Sequence, residues 1–324
     1  MSASATALSA VELVKTYRPG RGAPPVRALD GLSVEVAAGT VFALLGPNGA
    51  GKSTTVKILT TLSRPDSGSA SVAGIDVLRE PDAVRRTIGL VGQKASTDPM
   101  ATGRENLVLA ARIQGMTRAD ADSRADALLT RFGLGAAADR LVKTWSGGMA
   151  RKLDVALGII HSPRVLFLDE PTTGLDPEAR AEMWAEIARL AEDEQVTVLL
   201  TTHYLDEADR MAHRLAIVDA GRVVVEGTPD DLKQQLDGDS VAVQLAPEDV
   251  AAGRSILTGL RGLSGVVVEG NTLRARAAAG AGSVPAVLAA LETHGVIARA
   301  VTLARPSLDD VYLRHVGRSF EVAA

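Results

Sequence analysis

Residues Gly46-Pro-Asn-Gly-Ala-Gly-Lys-Ser53 fill every fixed position of the pattern G-x-x-x-x-G-K-[ST], at Gly46, Gly51, Lys52 and Ser53. The chemistry that this spacing suits is triphosphate binding. Glycines, Gly49 among them, let backbone N–H groups curl around phosphate oxygens with no Cβ in the way. A helix that starts inside the loop turns its positive dipole end toward the same anion. Lys52 is long enough to reach the β- and γ-phosphates, and the Ser53 hydroxyl suits Mg²⁺. Asn48 and Thr54 complete the loop and its exit.

Other residues have types and positions that fit the same chemistry. Asp169-Glu170 follows the apolar run Val165–Leu168, where a parallel sheet presents polar groups to a ligand. Asp169 is expected to organise Mg²⁺, and Glu170 to orient and deprotonate an attacking water. The pair would serve equally as a cap for the next element. Gln93, in Val91-Gly92-Gln93, can reach a metal or a water through its amide oxygen, and also reads as plain loop. His203 follows the run ending at Leu200 and can donate to a γ-phosphate, although a lone histidine is more often structural. Tyr17 can stack on a nucleobase or stand as an ordinary surface aromatic. Ser146-Gly147-Gly148 precedes the helical stretch Ala150–Ile160 and forms either a second anion site or a simple cap. Two anion sites on one phosphate-binding chain suggest sharing, with each nucleotide held between the loop of one copy and the Ser-Gly-Gly of another under twofold symmetry.

The elements that must position these residues are legible as an α/β pattern. Thr40–Leu45 reads as a buried strand before the loop, and Thr54–Thr60 as the helix after it. Val165–Leu168, Val196–Leu200 and Arg214–Asp219 read as further buried strands, which predicts a sheet with helices on its faces. Residues 98–145 predict a mainly helical insertion, and a helical subdomain to about residue 160. Within it Thr102-Gly-Arg-Glu105 has capping-box spacing, and Thr117 caps a helix through Leu128 and Leu129. Asp176-Pro177 begins another helix, with Met183, Ile187 and Leu190 on one face. Leu236-Asp-Gly-Asp-Ser240 is a polar break, so the expected domains are 1–236 and 240–324. The second reads β-α-β-β-α-β: strands at Ser240–Leu245, Gly265–Glu269, Thr272–Arg276 and Val296–Leu303, and helices at Val250–Leu260 and Val284–Thr293. Gly270-Asn271 is its hairpin turn, and Ser307–Arg314 a closing helix.

The 324 residues suffice for one large domain and one small one. A net charge of −4 gives no general support for a nucleic-acid surface. The absence of cysteine excludes disulfides and thiol catalysis and fits a cytosolic setting. Met1-Ser-Ala-Ser-Ala-Thr-Ala7 lacks the features of a secretory signal. No run of 18 apolar residues occurs, and Leu153–Ile160 is short and interrupted by Asp154, so the chain is not expected to span a membrane.

Taken in order, Tyr17, Gly46–Thr54, Gln93, Ser146–Gly148, Val165–Glu170, Pro171-Thr-Thr-Gly-Leu-Asp176 and His203 resemble the ATP-binding cassette (ABC) family over residues 8–230. The resemblance implies a P-loop ATPase domain with a mixed sheet core and a helical subdomain. It implies adenine stacking by Tyr17, Mg²⁺ sensing and relay to a membrane partner by Gln93, catalytic base chemistry at Glu170, and a γ-phosphate contact from His203. Ser146 and Gly148 would bind the γ-phosphate held by a second copy, and Asp176 would reach across that dimer. The family's usual leucine and glutamine flanking this motif are Trp145 and Met149 here.

Thr144–Met149, Thr202-His-Tyr-Leu-Asp-Glu-Ala208 and Ser307-Leu-Asp-Asp-Val-Tyr-Leu313 further resemble the daunorubicin-resistance type of ATP-binding subunit. That resemblance implies a separate permease chain, a tail domain serving assembly, and a place on the cytoplasmic face of the membrane. Two other readings stand beside it: a soluble cassette ATPase of translation or repair, and a nucleotide-dependent regulatory module that does not hydrolyse ATP. A single phosphate loop without sustained heptads speaks against the first, and an intact Glu170 and His203 against the second.

Overall fold

The computed structural model describes residues 5–18, 24–236 and 238–317. The stretch Met1–Ser4 and residue Asp237 of the predicted break lie outside the described residues. The chain forms two compact units, dividing between Glu226 and Gly227.

The first unit contains strands β1 (Thr6–Tyr17), β2 (Val26–Ala37), β3 (Val41–Leu45), β4 (Ser67–Val72), β5 (Ile75–Asp76), β6 (Ile88–Val91), β7 (Val165–Asp169), β8 (Thr197–Thr202), β9 (Arg214–Asp219) and β10 (Arg222–Gly227). Its helices are α1 (Lys52–Leu59), α2 (Pro81–Thr87), α3 (Gly103–Ile113), α4 (Arg118–Arg131), α5 (Gly147–Gly158), α6 (Pro177–Glu192) and α7 (Leu205–Met211). The central sheet runs β10-β9-β3-β8-β7-β6. Strands β9, β3, β8, β7 and β6 are mutually parallel. Strands buried on both faces read as unbroken apolar runs, and β3 and β8 are buried along their whole lengths. Every other residue of β3, β7 and β8 (Phe42 and Leu44, Val165 and Phe167, Leu199) joins one core with α1 and with a second sheet. That sheet, β2-β1-β4-β5, is antiparallel, and the alternating apolar stretch Val11–Val14 before Tyr17 is its one trace in the sequence pattern. Its long strands carry register shifts between Ala10 and Val14, which blur the period-2 pattern.

The helical insertion is present. Thr102 and Glu105 make the predicted capping box on α3, Thr117 caps α4, and Asp176 caps α6. Leu107 and Ala111 of α3, with Ala121, Ala125, Leu128 and Leu129 of α4, are buried. The buried Met183, Ile187 and Leu190 mark the predicted inner face of α6. Helix α5 begins at Gly147 rather than Ala150, so the two glycines form its first turn.

The second unit opens with α8 (Pro229–Gln234), followed by β11 (Asp239–Gln244), α9 (Val250–Gly259), β12 (Leu263–Glu269), β13 (Thr272–Ala277), α10 (Val284–Thr293), β14 (Ala300–Ala304) and α11 (Leu308–Val316). The antiparallel sheet order β12-β13-β11-β14 is that of a split β-α-β sandwich. Its core joins Val241, Val243, Leu257, Leu273, Val287 and Leu291. Helix α8 packs on α11, and the Arg314 guanidinium donates to the Gln235 carbonyl at 2.6 Å. The predicted break therefore falls inside this unit, and its Asp239 and Ser240 already belong to β11. The last strand starts at Ala300, not Val296. The chain leaves α10 through Gly295 at φ +73°, and the Val296 N–H returns to the Leu291 carbonyl, which closes the helix and delays the strand.

Candidate active site

Parallel strands bring together what lies at their carboxyl ends. The order β3-β8-β7-β6 places the phosphate loop, His203, Asp169-Glu170 and Gln93 in one row along the edge where such sheets bind ligands. The loop itself is held tightly. Gly51 has φ +113°, and a Cβ there would stand 2.6 Å from the Ala28 carbonyl oxygen on β2, so only glycine fits. The buried Lys52 ammonium donates to the carbonyls of Gly46 (2.7 Å) and Pro47 (3.1 Å). Burial pushes its pKa down, partly offset by Glu170 and Asp169.

At the next residue, the Ser53 hydroxyl donates to Asp169 Oδ1 at 3.1 Å, and Thr201 donates to the same oxygen at 2.5 Å. Residue 170 departs from the strand at φ +51°, a left-handed conformation for a non-glycine. Its N–H is fixed by Thr201, both carbonyl and hydroxyl, at 3.1 Å. The turn aims the Glu170 carboxylate back at its neighbours. His203 Nδ1 lies 3.0 Å from Oε1, while Gln93 Nε2 and the Thr173 hydroxyl donate to Oε2 at 3.1 and 3.4 Å. Side-chain exposures of about a tenth for both Glu170 and His203 leave this carboxylate reachable yet shielded. The structure therefore links His203 first to Glu170.

A second network lies behind it. The carboxylate of Glu207, fully buried, accepts from the hydroxyls of Thr172 and of Thr202, the latter at 2.7 Å. Thr202 in turn accepts from the Tyr204 N–H. Burial pushes the Glu207 pKa up.

Ser146 and Asp176 sit together at the starts of two helices. Ser146 Oγ accepts from the Met149 N–H, Asp176 accepts from the Ala179 N–H, and the Ala179 methyl lies beside Gly148. Trp145 turns its indole onto Gly103 of α3, and so accommodates a bulky side chain in place of a leucine. Tyr17 ends β1 opposite Val26, two residues from Ala28 behind the loop, and is partly exposed beside Lys15.

Residues that the sequence reading did not single out also shape the site: Thr201, Thr172, Glu207 and Arg151. Thr172 and Glu207 lie inside motifs quoted above, without a role of their own there, and Thr201 borders one. Arg151 leaves only a weaker signal, a charge among helical residues that fold inward.

Residues 29–173 match the family model described as ABC transporter, and residues 227–316 match that of the ATP-binding protein DrrA1-3-like, C-terminal domain. The chain is 46% identical over 321 residues to the daunorubicin/doxorubicin resistance ATP-binding protein DrrA of Streptomyces peucetius, covering 96% of this chain and 94% of that one. It is 37% identical to the Nod factor export ATP-binding protein I of Paraburkholderia xenovorans, over 90% of this chain and 93% of the relative. An ATP-binding cassette solved as a dimer in a post-hydrolysis state with ADP and Pi superposes with a TM-score of 0.63 at 25% identity, covering 68% of this chain and 98% of the other. The chain belongs to the ATP-binding subunits of ABC transporters, in the DrrA group, and is an ATPase.

Proposed function

We propose that the chain hydrolyses ATP to drive export of a drug or antibiotic-like compound through a separate membrane permease. The observation that carries the reading is the Glu170 carboxylate, held by His203 and Gln93 next to the Ser53–Asp169 pair and the Lys52 loop. Lys52 and the loop amides neutralise phosphate charge, with Gly46, Asn48, Gly49, Gly51 and Thr54 shaping the cradle, and Tyr17 stacks on the base. Ser53 and Asp169 would hold Mg²⁺, with Gln93 nearby. A hydroxyl and a carboxylate are the hard oxygens that this ion accepts, and it draws the rest of its shell from phosphate and water. When bound, it neutralises charge on the β- and γ-phosphates.

Glu170 takes a proton from water as the water oxygen bonds to the γ-phosphorus. The bond to the β,γ-bridging oxygen breaks, and ADP leaves with that electron pair. His203 keeps Glu170 in place. Ser146, Gly147, Gly148 and Asp176 serve the nucleotide of a second copy, so ATP closes a homodimer that hydrolysis releases. ATP favours closure only in so far as it binds the closed state better. The resistance and export named for the relatives support the exporter reading. Among the described residues no helix is long and apolar enough to cross a membrane; the chain would sit beside the permease at the cytoplasmic face. The second unit (residues 227–321) serves assembly with the permease, and no nucleic acid is involved.

Affinity capture from native membranes tests this, using the full chain and a version ending at Glu226. The full chain should retain a stoichiometric membrane-spanning partner. The shortened chain should lose most of that partner and keep ATP binding. Ribosomal or nucleic-acid-associated partners without a permease would overturn the exporter reading. Equal loss of partner and ATP binding would overturn the assembly role.

A further inference from the structure

Helix α5 carries a buried ion pair one turn beyond Ser146-Gly147-Gly148. The planar guanidinium of Arg151 donates to four main-chain carbonyls: Pro171 from Nε (2.7 Å), Gly92 from Nη1 (2.8 Å), and Asp169 and Glu170 from Nη2 (3.3 and 3.2 Å). Asp154 Oδ2 lies 3.7 Å from Nη1. The other oxygen, Oδ1, accepts from the Ser96 N–H at 2.8 Å, and the Thr97 N–H also donates to this carboxylate. Both residues are at most 9% exposed.

The partners are not scattered. Every one belongs either to the segment around Gln93 (Gly92, Ser96, Thr97) or to the turn holding the two carboxylates (Asp169, Glu170, Pro171). A rigid fork of five N–H donors can fix several acceptors at once, which a lysine ammonium on a flexible stem does not. The base of the same helix is locked independently. A Cβ on Gly89 of β6 would stand 2.0 Å from the Gly158 carbonyl oxygen, so α5 and the strand leading to Gln93 are in backbone contact.

Deepening the reading of Glu170 as base, and resting on it, we propose that Arg151 and Asp154 are a positioning pair. From α5 they hold the Gln93 loop and the Asp169–Pro171 turn in one body with the Ser-Gly-Gly start of the helix. Engagement of that motif by the second copy's nucleotide is thereby transmitted to Glu170 and Gln93, without contact between Arg151 and substrate. The chemistry predicts a particular failure. Loosening the pair leaves the phosphate loop, and so nucleotide affinity, intact, while the base drifts from the attacking water. Misplacement by about 1 Å is enough to cost on the order of a hundredfold in rate.

The test uses the full chain with Arg151→Lys, Arg151→Met and Asp154→Asn, alongside Glu170→Gln. Folding is followed by thermal unfolding, ATP affinity by binding of a non-hydrolysable analogue, and kcat and KM by phosphate release. Arg151→Lys should fold, keep ATP affinity and KM within about threefold, and lose about tenfold to a hundredfold in kcat. Asp154→Asn, which keeps an acceptor for Ser96, should show a smaller loss of the same kind. A folded Arg151→Lys or Arg151→Met with kcat within twofold of the parent overturns the proposal. So does a parallel loss of affinity and kcat, the mark of a brace for the fold alone. If Arg151→Met fails to fold, Arg151→Lys and Asp154→Asn decide. Slow Glu170→Gln beside normal Arg151→Lys removes the positioning role and leaves the base in place. Fast Glu170→Gln removes the base reading itself.

Discussion

Glu170 stands in a conformation that its residue type disfavours, at φ +51°, and holds it because Thr201 binds its N–H twice. The strain falls at the residue proposed as base, where a regular strand would turn the side chain elsewhere. Glu207 poses the opposite case, a carboxylate with no route to substrate among its contacts. Burial raises its folded pKa above the ordinary value, so the folded chain binds its proton more tightly than the unfolded one. Stability from this group is therefore greatest below the unfolded pKa and falls as pH rises through the folded value. In Glu207→Gln that dependence vanishes. The difference in unfolding free energy between variant and parent should move in the variant's favour between about pH 4 and pH 7. Denaturant unfolding at the two pH values checks it, and a shift in the parent's favour would show that Thr172 and Thr202 stabilise the charged form after all. Of the site, the residues in glycine and carboxylate motifs were legible in the sequence because their spacing encodes a mechanism. Arg151 was not, and Glu207 stood in a quoted motif without a role, since a charge in a helix reads as solvent-facing until the fold turns it inward.

At the scale of elements, buried parallel strands and capped helices were readable for a physical reason. β3, β7, β8 and β9 are apolar runs with clear ends, and the caps of α3, α4 and α6 use side chains whose geometry is local. Of the antiparallel sheet of β1, β2, β4 and β5 only the alternating stretch Val11–Val14 was legible, and register shifts in the long strands obscure the rest. The start of β14 was misplaced because the helix closure at Gly295 draws on residues that look strand-like. The contact between α5 and β6 rests on Gly89, which leaves no mark in a pattern of apolar residues. Gly89→Ala should lower stability by about 1–3 kcal/mol through overpacking against a carbonyl that cannot move aside. Chemical denaturation of the full chain measures this, and an unchanged midpoint would mean that the helix can slide on the strand.

At the scale of the whole molecule, two units share one chain. One is a nucleotide-binding α/β unit whose sheet edge gathers the candidate site residues, and the other a small α/β sandwich. Residues far apart in sequence, Gln93, Glu170 and His203, meet because β6, β7 and β8 are neighbours. Two copies are required if, as proposed, Ser146–Gly148 at the start of α5 serves the nucleotide of a second chain and Asp176 at the start of α6 reaches across to it. The central claim is that Glu170 is the base. The direct test is the rate of phosphate release by full-length Glu170→Gln at saturating ATP. The account predicts a fall of about a hundredfold to ten-thousandfold, with ATP still bound and the protein held as a dimer. Turnover within twofold of the parent would contradict it.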